Sequence, residues 1–224
     1  MIVCLFDIDG TLVSTGGAGK AALEAALLDT FGLREIRGSV TYSGRTDTAI
    51  CIDLLHMHDL PATPENRRNL HDAYLGQLPR YLAERPGRIL PGIAGLLEHL
   101  EAREDVLLGL LTGNIRRGAA LKLGHFNLYR YFPFGGFGDE WHDRDEVARA
   151  ALAATAEHLG EPAHPERVWV VGDTPLDIKC ARAIGAKALA VATGLHPLTE
   201  LAEHRPDLVM EDLRDYDRFL SALT

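Results

Sequence analysis

The stretch that decides the fold is residues 2–13, which read IVCLFDIDGTLV. A run of apolar residues, Ile2–Phe6, stops abruptly at a polar, glycine-containing segment that begins with Asp7. Such a run favours a buried strand of a parallel sheet that enters a loop, and ligands bind at the carboxyl ends of such strands. Asp7 and Asp9 are two residues apart. On a continuing strand their carboxylates would point the same way and repel each other, unless a cation lies between them.

Two further apolar runs end in polar loops of a similar kind. Val168–Val171 runs into Gly172 and Asp173, and Asp177 follows four residues later. Val106–Leu111 is followed by a threonine, a glycine and an asparagine at 112–114. A solvated Asp-Gly turn would explain the first run alone. The same pattern on three strands instead favours one shared site at the carboxyl edge of a sheet.

The second part of the chain alternates between strands and helices. From about Leu90 onward, short apolar runs are separated by segments with helical periodicity, among them a long alanine-rich helix over Asp143–Leu159. Alternation of this kind implies right-handed βαβ units and a parallel sheet that is covered on both faces. We therefore predict an α/β fold with a parallel, Rossmann-like core.

The segment between the first strand and this series breaks the alternation. Three helical stretches, Gly17–Phe31, Thr46–His58 and Pro64–Arg85, follow one another without a strong strand between them. Their position predicts an inserted helical cap over residues 14–88, which lies above the carboxyl end of the sheet. The core then consists of residues 1–13 and 89–224.

The composition excludes several classes of function. The 224 residues carry a net charge of −9, which argues against non-specific binding to nucleic acid. No stretch approaches the roughly 20 apolar residues of a membrane span. The three cysteines are widely spaced and indicate neither a zinc site nor a disulfide framework. Because the chain enters a strand without a basic or cleavable leader, we expect a cytoplasmic protein.

These motifs, in this order, resemble those of the haloacid dehalogenase-like hydrolases. The family has an Asp-x-Asp-x-Thr nucleophile strand, here Asp7 to Thr11, and a strand that ends in Thr or Ser, here Thr112. It also has a late Gly-Asp-x-x-x-Asp, here with Asp173 and Asp177, and a helical cap after the first motif. The resemblance covers nearly the whole chain and is strongest to the phosphatase branch, which includes phosphoglycolate phosphatases and β-phosphoglucomutase-like proteins.

The resemblance implies a phosphomonoester hydrolase that forms an aspartyl-phosphate. Asp7 would attack phosphorus, and Asp9 would protonate the leaving oxygen and then activate water. Mg²⁺ would be bound by the Asp7 carboxylate, the Asp9 backbone carbonyl and Asp173, while Asp177 would orient a bound water or the loop.

The resemblance also implies a set of groups that bind the phosphate. Thr112, Gly113 and the backbone N–H of Asn114 would hold the phosphate oxygens. The family also places a phosphate-binding lysine after this strand. The chain has four lysines, and none lies between residues 123 and 178. An arginine must therefore replace it, and Arg144 is our first choice, ahead of Arg149 and Arg130.

Substrate choice would belong to the predicted cap. Arg45 is the best cap candidate for contact with a substrate anion. The partner is predicted to be a small phosphorylated metabolite, without nucleic acid or membrane, and the protein a monomer or homodimer. Two enzymatic alternatives remain, a sugar phosphomutase and a C–P bond hydrolase on the same fold. The alternative of another class is a non-enzymatic phospho-accepting binding domain, although response-regulator receivers are about half this length and lack the helical insert.

Overall fold

The computed structural model describes residues 1–223 and has a parallel sheet at its centre. The strands are β1 (Ile2–Phe6), β2 (Val13–Ser14), β3 (Arg88–Ile89), β4 (Val106–Leu111), β5 (Gly135–Gly136), β6 (Val168–Gly172), β7 (Lys187–Val191) and β8 (Leu208–Met210). Six of them form one sheet in the order β5-β4-β1-β6-β7-β8, with every pair parallel. The predicted α/β fold with a parallel sheet is confirmed.

Helices cover this sheet and also form a group of their own. They are α1 (Ala18–Phe31), α2 (Asp47–Met57), α3 (Pro64–Glu84), α4 (Ile93–Glu101), α5 (Arg116–His125), α6 (Arg144–Leu159), α7 (Pro175–Ala183), α8 (Leu198–Glu203) and α9 (Asp217–Ala222). The sequence analysis does not predict α4 or the two-residue strands β2 and β3. Within residues 1–223, no helix combines the length and apolar character needed to cross a bilayer.

Side chains of β1 alternate between two hydrophobic clusters, one on each face of the sheet. Cys4 and Phe6 belong to one cluster, whereas Val3 and Leu5 belong to the other. This alternation is the period of two that a strand imposes on its side chains. Because both faces are covered, the strand reads as a continuous apolar run instead of an alternating one.

A third hydrophobic cluster lies among α1, α2 and α3. It contains buried leucines from all three helices and also Ile115, which immediately precedes α5. Where the chain leaves the first strand and where it returns, β2 and β3 pair antiparallel, Val13 with Ile89 and Ser14 with Arg88. The two connections to the helical group are therefore held side by side.

The strand order determines where the functional residues meet. β1 lies between β4 and β6, so the carboxyl ends of these three strands are adjacent. Asp7, Thr112 and Asp173 are the residues that follow them. Strands that lead away in both directions from β1 create a crevice at this edge, the usual ligand position in open α/β sheets.

Candidate active site

Three aspartates lie together at the carboxyl edge of the sheet. Asp7 directly follows β1, Asp173 directly follows β6, and Asp177 lies in the first turn of α7. All three are buried, and one carboxylate oxygen from each lies within 4.8 Å of the others. The residues that were predicted from two distant motifs are therefore in one cluster.

Two glycines enclose the carboxylate of Asp173. Gly10 has φ +85°, in the left-handed region, and a Cβ atom added there would overlap Oδ2 of Asp173, as would one added at Gly194. The other oxygen, Oδ1, accepts a hydrogen bond of 3.0 Å from the Thr11 hydroxyl. Glycine at both positions lets the backbone approach this carboxylate closely.

Asp177 is tied into the loop between β6 and α7. Its Oδ2 accepts hydrogen bonds from the backbone N–H and the hydroxyl of Thr174, at 2.9 and 2.7 Å. The Thr174 hydroxyl in turn accepts from the backbone N–H of Asp177, which completes a capping box at the start of the helix. Asp177 therefore stabilises the loop that carries Asp173.

Arg144 is the basic residue that reaches the acidic cluster. It opens α6, is 5 % exposed, and pairs through Nη2 with Oδ1 of Asp177 and with Oδ2 of Asp7, the latter at 3.2 Å. Its Nε atom is buried and has no hydrogen-bond partner. The two alternatives lie elsewhere, since Arg130 stacks on Tyr131 and Arg149 pairs with Glu146 at the surface.

The electrostatics of the cluster follow from its burial. Burial raises the pKa of Asp7 to about 6, an effect that Arg144 opposes and Asp177 reinforces. Burial, together with the charges of Asp177 and Asp7, also raises the pKa of Asp173 well above its ordinary value. Carboxylates this close together in a low-dielectric site disfavour one another's charged form, and a divalent cation would stabilise that form.

Asp9 is placed differently from the other acids. Its side chain is 40 % exposed, and its Oδ2 accepts hydrogen bonds from Lys122 Nζ at 2.5 Å and from Asn114 Nδ2 at 3.0 Å. Its Oδ1 has a long contact of 3.5 Å with the Thr15 hydroxyl. Within residues 1–223, no hydrogen bond is made to its backbone carbonyl oxygen. The side chain and the carbonyl are thus available for separate roles.

The predicted phosphate-binding loop follows β4. Thr112 is fully buried, and its hydroxyl accepts hydrogen bonds from the backbone N–H and the side-chain amide of Asn114, at 3.3 and 2.8 Å. Gly113 lies against the backbone carbonyl of Arg45, which leaves no room for a Cβ atom. This loop is therefore in direct contact with the chain between α1 and α2.

Lys122 is a residue of the site that the sequence reading missed. It belongs to the buried stripe of α5, with Gly118, Ala119 and Leu123, and its ammonium reaches both Asp9 and Asn114. Burial opposes its charge, but the charge and hydrogen bond of Asp9, together with Tyr74 and Asp47, keep the pKa of Lys122 above its ordinary value. Lys122 occupies a position of α5 that the helical periodicity predicts to be buried. A lysine at such a position was the signal in the sequence that could have identified this residue.

The segment before α2 contacts the core at several points. The backbone N–H of Asp47 donates to the Gly113 carbonyl at 2.7 Å, and the Asp47 carboxylate accepts from the backbone N–H of Ile115 at 2.9 Å. Nη1 of Arg144 donates to the Gly44 carbonyl at 3.3 Å. Arg45 lines the same space, but its guanidinium pairs with Asp53 of α2.

These residues enclose a cavity of about 460 Å³ between the sheet edge and the helical group. Its core side carries Asp7, Asp9, Asp173, Arg144 and Lys122. Residues of the helical group that line it are Lys20, Leu23, Tyr42, Ser43, Arg45, Asp47, Ile50 and Tyr74. A cavity of this size is large enough for a small metabolite. Its core side is lined by acidic and cationic side chains, and the side formed by the helical group is lined by charged, polar and apolar ones.

The carboxylate oxygens on the core side of the cavity suit a hard divalent cation. The Oδ1 atom of Asp7 is buried without a hydrogen-bond partner, and the Asp173 carboxylate lies beside it. Oxygen ligands of this kind are those that Mg²⁺ prefers. Both oxygens of Asp177 already accept hydrogen bonds from Arg144 and Thr174, so its role would be to orient its neighbours.

Comparison with known proteins gives one family. The family model described as HAD-hydrolase-like matches residues 146–216. Phosphoglycolate phosphatase 1 of Pseudomonas aeruginosa is 28 % identical over 218 residues, which cover 94 % of this chain and 76 % of that protein. The pyrophosphatase PpaX of Oceanobacillus iheyensis is 26 % identical over 218 residues, which cover 94 % and 92 % of the two chains.

Solved structures share the fold over the whole chain. A hydrolase from Pseudomonas syringae superposes with a TM-score of 0.73 at 22 % identity and full coverage of both chains. CbbY from Rhodobacter sphaeroides, solved in complex with phosphate, also gives a TM-score of 0.73, at 20 % identity and 96 % coverage of both chains. The motifs, the sheet order and these relatives together support a haloacid dehalogenase-like hydrolase of the phosphatase branch.

Proposed function

We propose that this phosphatase is a Mg²⁺-dependent phosphomonoester hydrolase that acts on a small metabolite through an aspartyl-phosphate intermediate. The observation that carries the proposal is the buried, unpartnered Oδ1 of Asp7, beside Asp173 and facing the cavity. A buried carboxylate oxygen without a partner is costly unless a ligand uses it. The cation, bound by Asp7, Asp173 and the Asp9 carbonyl, would neutralise charge between the nucleophile and the phosphate.

Asp7 and Asp9 would divide the chemistry between them. A carboxylate oxygen of Asp7 attacks phosphorus, the bond from phosphorus to the leaving oxygen breaks, and Asp9 gives that oxygen a proton. Asp9 then takes a proton from water as the water attacks the phosphorus of the aspartyl-phosphate, which releases phosphate and restores Asp7. The difference in environment supports this division, since Asp7 is buried whereas Asp9 is part exposed to the cavity.

The transferred phosphoryl group would be held by the loop after β4 and by Arg144. Arg144 contacts Asp7 directly and retains a free Nε donor, and Gly113 and Asn114 line the same cavity. Thr112 would contribute its hydroxyl, which already contacts Asn114. Donors placed around the phosphorus before the reaction stabilise the charge that develops in the transition state.

We infer that residues 14–88 form the cap and that residues 1–13 and 89–224 form the catalytic core. The separate hydrophobic cluster of α1–α3 and the paired connections β2 and β3 support this division. In this arrangement the leaving group faces the cap. Arg45 would determine which leaving group is accepted. It would either release Asp53 and pair with an anionic group of the substrate, or keep its ion pair with Asp53 and thereby set the shape of the cap side of the cavity.

The experiment that tests the function is a panel of phosphorylated compounds assayed with Mg²⁺. It should include p-nitrophenyl phosphate, phosphoglycolate, pyrophosphate and several sugar phosphates, because two of the curated relatives are named for phosphoglycolate and pyrophosphate. We expect release of inorganic phosphate from at least one small monoester. Transfer of the phosphoryl group between sugar hydroxyls without release would favour a mutase. Stable phosphorylation of Asp7 without turnover would favour a binding domain.

Arg144 provides a prediction that separates charge from geometry. Arg144→Lys keeps a cation next to Asp7 but cannot also reach Asp177 and Gly44 with a planar fork. Arg144→Gln removes the charge as well. We expect Arg144→Gln to lower kcat/KM by about 10²-fold or more for every phosphomonoester, and Arg144→Lys by less. Steady-state kinetics on two substrates with different leaving groups provide the measurement.

The control for this experiment is Arg149→Gln, five residues further along the same helix, where the side chain pairs with Glu146 at the surface. It should behave like the wild type. A loss for Arg144→Gln that depends on the leaving group would contradict a contact with the shared phosphoryl group, and equal effects of the two glutamine variants would remove Arg144 from the site.

A further inference from the structure

We propose that Lys122 is a positioning residue that orients the Asp9 carboxylate for proton transfer to the leaving group. The inference rests on the proposed function and adds a residue to it. Lys122 comes from α5, a helix that otherwise contributes packing, and it reaches the cavity from beneath the loop that follows β4. Its side chain is 5 % exposed, whereas that of Asp9 is 40 % exposed.

The contacts of Lys122 form a closed triangle. Its Nζ donates to Oδ2 of Asp9 at 2.5 Å and to Oδ1 of Asn114 at 2.6 Å. The Asn114 amide nitrogen donates to the same Oδ2 of Asp9 at 3.0 Å and to the Thr112 hydroxyl at 2.8 Å. Asp9 is therefore linked to the end of β4 as well as to its own strand.

The triangle distinguishes the two oxygens of Asp9. Two donors hold Oδ2, whereas Oδ1 has only the 3.5 Å contact with Thr15. A carboxylate held through one oxygen cannot rotate freely, so the other oxygen keeps a constant direction. We assign proton transfer to Oδ1, which leaves Lys122 outside hydrogen-bond contact with the reacting atoms.

The surroundings leave room for the ammonium. Gly19, in the first turn of α1, lies against it, and a Cβ atom added there would be 3.0 Å from Nζ. Asp47 and the Tyr74 phenol are close enough to interact with the charge. A buried lysine is costly unless it is paired and hydrogen bonded, and here a part-exposed acid that faces the cavity supplies the pairing. Packing alone would be served by methionine at this position.

The test compares Lys122→Met with Lys179→Met. Lys179 pairs with Asp145 between α6 and α7, outside the cavity, and serves as the matched control. We expect Lys122→Met to lower kcat by about 10²-fold, the cost of a misplaced catalytic group, with KM changed by less than about 3-fold because uniform substrate binding is kept. An alkyl phosphomonoester should be more sensitive than p-nitrophenyl phosphate, because a good leaving group needs less help from an acid.

A double-mutant cycle tests whether Lys122 acts through Asp9. Asp9→Asn removes the acid, so Lys122→Met should cause little further loss of kcat in that background. If the losses of kcat in Asp9→Asn and Lys122→Met multiply in the double variant, the proposal is overturned. A rise in KM with unchanged kcat in Lys122→Met would also overturn it, because it would indicate direct contact with substrate. A wild-type protein without phosphatase activity would instead refute the proposed function. If the wild type is active and Lys122→Met has the same kcat and KM as Lys179→Met, only this inference is refuted.

A second variant protects the test against a folding defect. Gly19→Ala places a methyl group against the Lys122 ammonium while it favours the helix, since alanine is the better helix former. The variant should still unfold cooperatively in a thermal melt, yet its kcat should fall, with the same dependence on the leaving group. If Lys122→Met does not fold and Gly19→Ala retains the wild-type kcat, the proposal is wrong.

Discussion

Replacing Asp7 with asparagine should abolish phosphate release on every substrate while the fold is retained. The amide is nearly the same size as the carboxylate but is not a nucleophile, so the aspartyl-phosphate cannot form. The variant should unfold at no lower a temperature than the wild type. Burial and Asp177 already raise the pKa of Asp7 to about 6, so the charge at this position costs free energy that the neutral amide does not. Phosphate release with Mg²⁺ and a thermal melt provide the two measurements.

Asp105→Asn is the matched control for this experiment. Asp105 directly precedes β4 at the opposite end of the sheet, where its backbone carbonyl accepts from Ile2 and its carboxylate pairs with Arg103. We expect this variant to keep the wild-type kcat. Turnover in Asp7→Asn at more than about one thousandth of the wild-type rate, roughly the effect of losing a single transition-state donor, would contradict the role of Asp7 as nucleophile.

Removal of divalent metal should have an effect of similar size. Treatment with EDTA should abolish turnover and added Mg²⁺ should restore it, because Asp7 and Asp173 would otherwise present two buried carboxylates to a phosphate dianion. Ca²⁺ should not restore activity, since it takes more oxygen ligands at longer distances. Mg²⁺ should also raise the melting temperature of the wild-type protein, because a ligand that binds only the folded state stabilises it.

Asp173→Asn separates binding of the metal from its use in catalysis. It should lose most of the rise in melting temperature that Mg²⁺ causes, whereas Asp207→Asn, at the edge of the fold and paired with Arg182, should keep it. Full turnover after exhaustive chelation would refute the metal-dependent mechanism. An Asp173→Asn variant that keeps the full rise in melting temperature with Mg²⁺ would place the metal site away from Asp173.

The sequence was most informative where local pattern and tertiary position coincide. The runs that became β1, β4 and β6 are continuous and apolar because these strands are covered on both faces. Each is followed by polar residues, and parallel pairing of the three strands brings those residues to one edge. Asp7, Thr112 and Asp173 could therefore be predicted to meet, although more than 50 residues separate each from the next.

Arg144 shows an intermediate case. Its motif position at the start of a long helix made it the first choice, but Arg130 and Arg149 fitted the same sequence interval. The packing of α6 against β4 and α7 gives the arginines different surroundings, and phosphate binding by Arg144 stays a prediction. That packing buries Arg144 between Asp7 and Asp177 and leaves Arg149 at the surface.

By itself, the sequence determined the α/β class and the strands that carry the acids, whereas the chemistry assigned to those acids stays a prediction that rests on the family resemblance. These properties depend on short-range patterns, namely apolar runs, glycine at turns and acids at fixed spacing. Only the tertiary structure decided that Lys122 reaches Asp9 and that Arg45 turns to Asp53 instead of pointing freely into the cavity. Such pairings depend on how helices distant in sequence pack and on which charges burial forces together, and no local pattern encodes either.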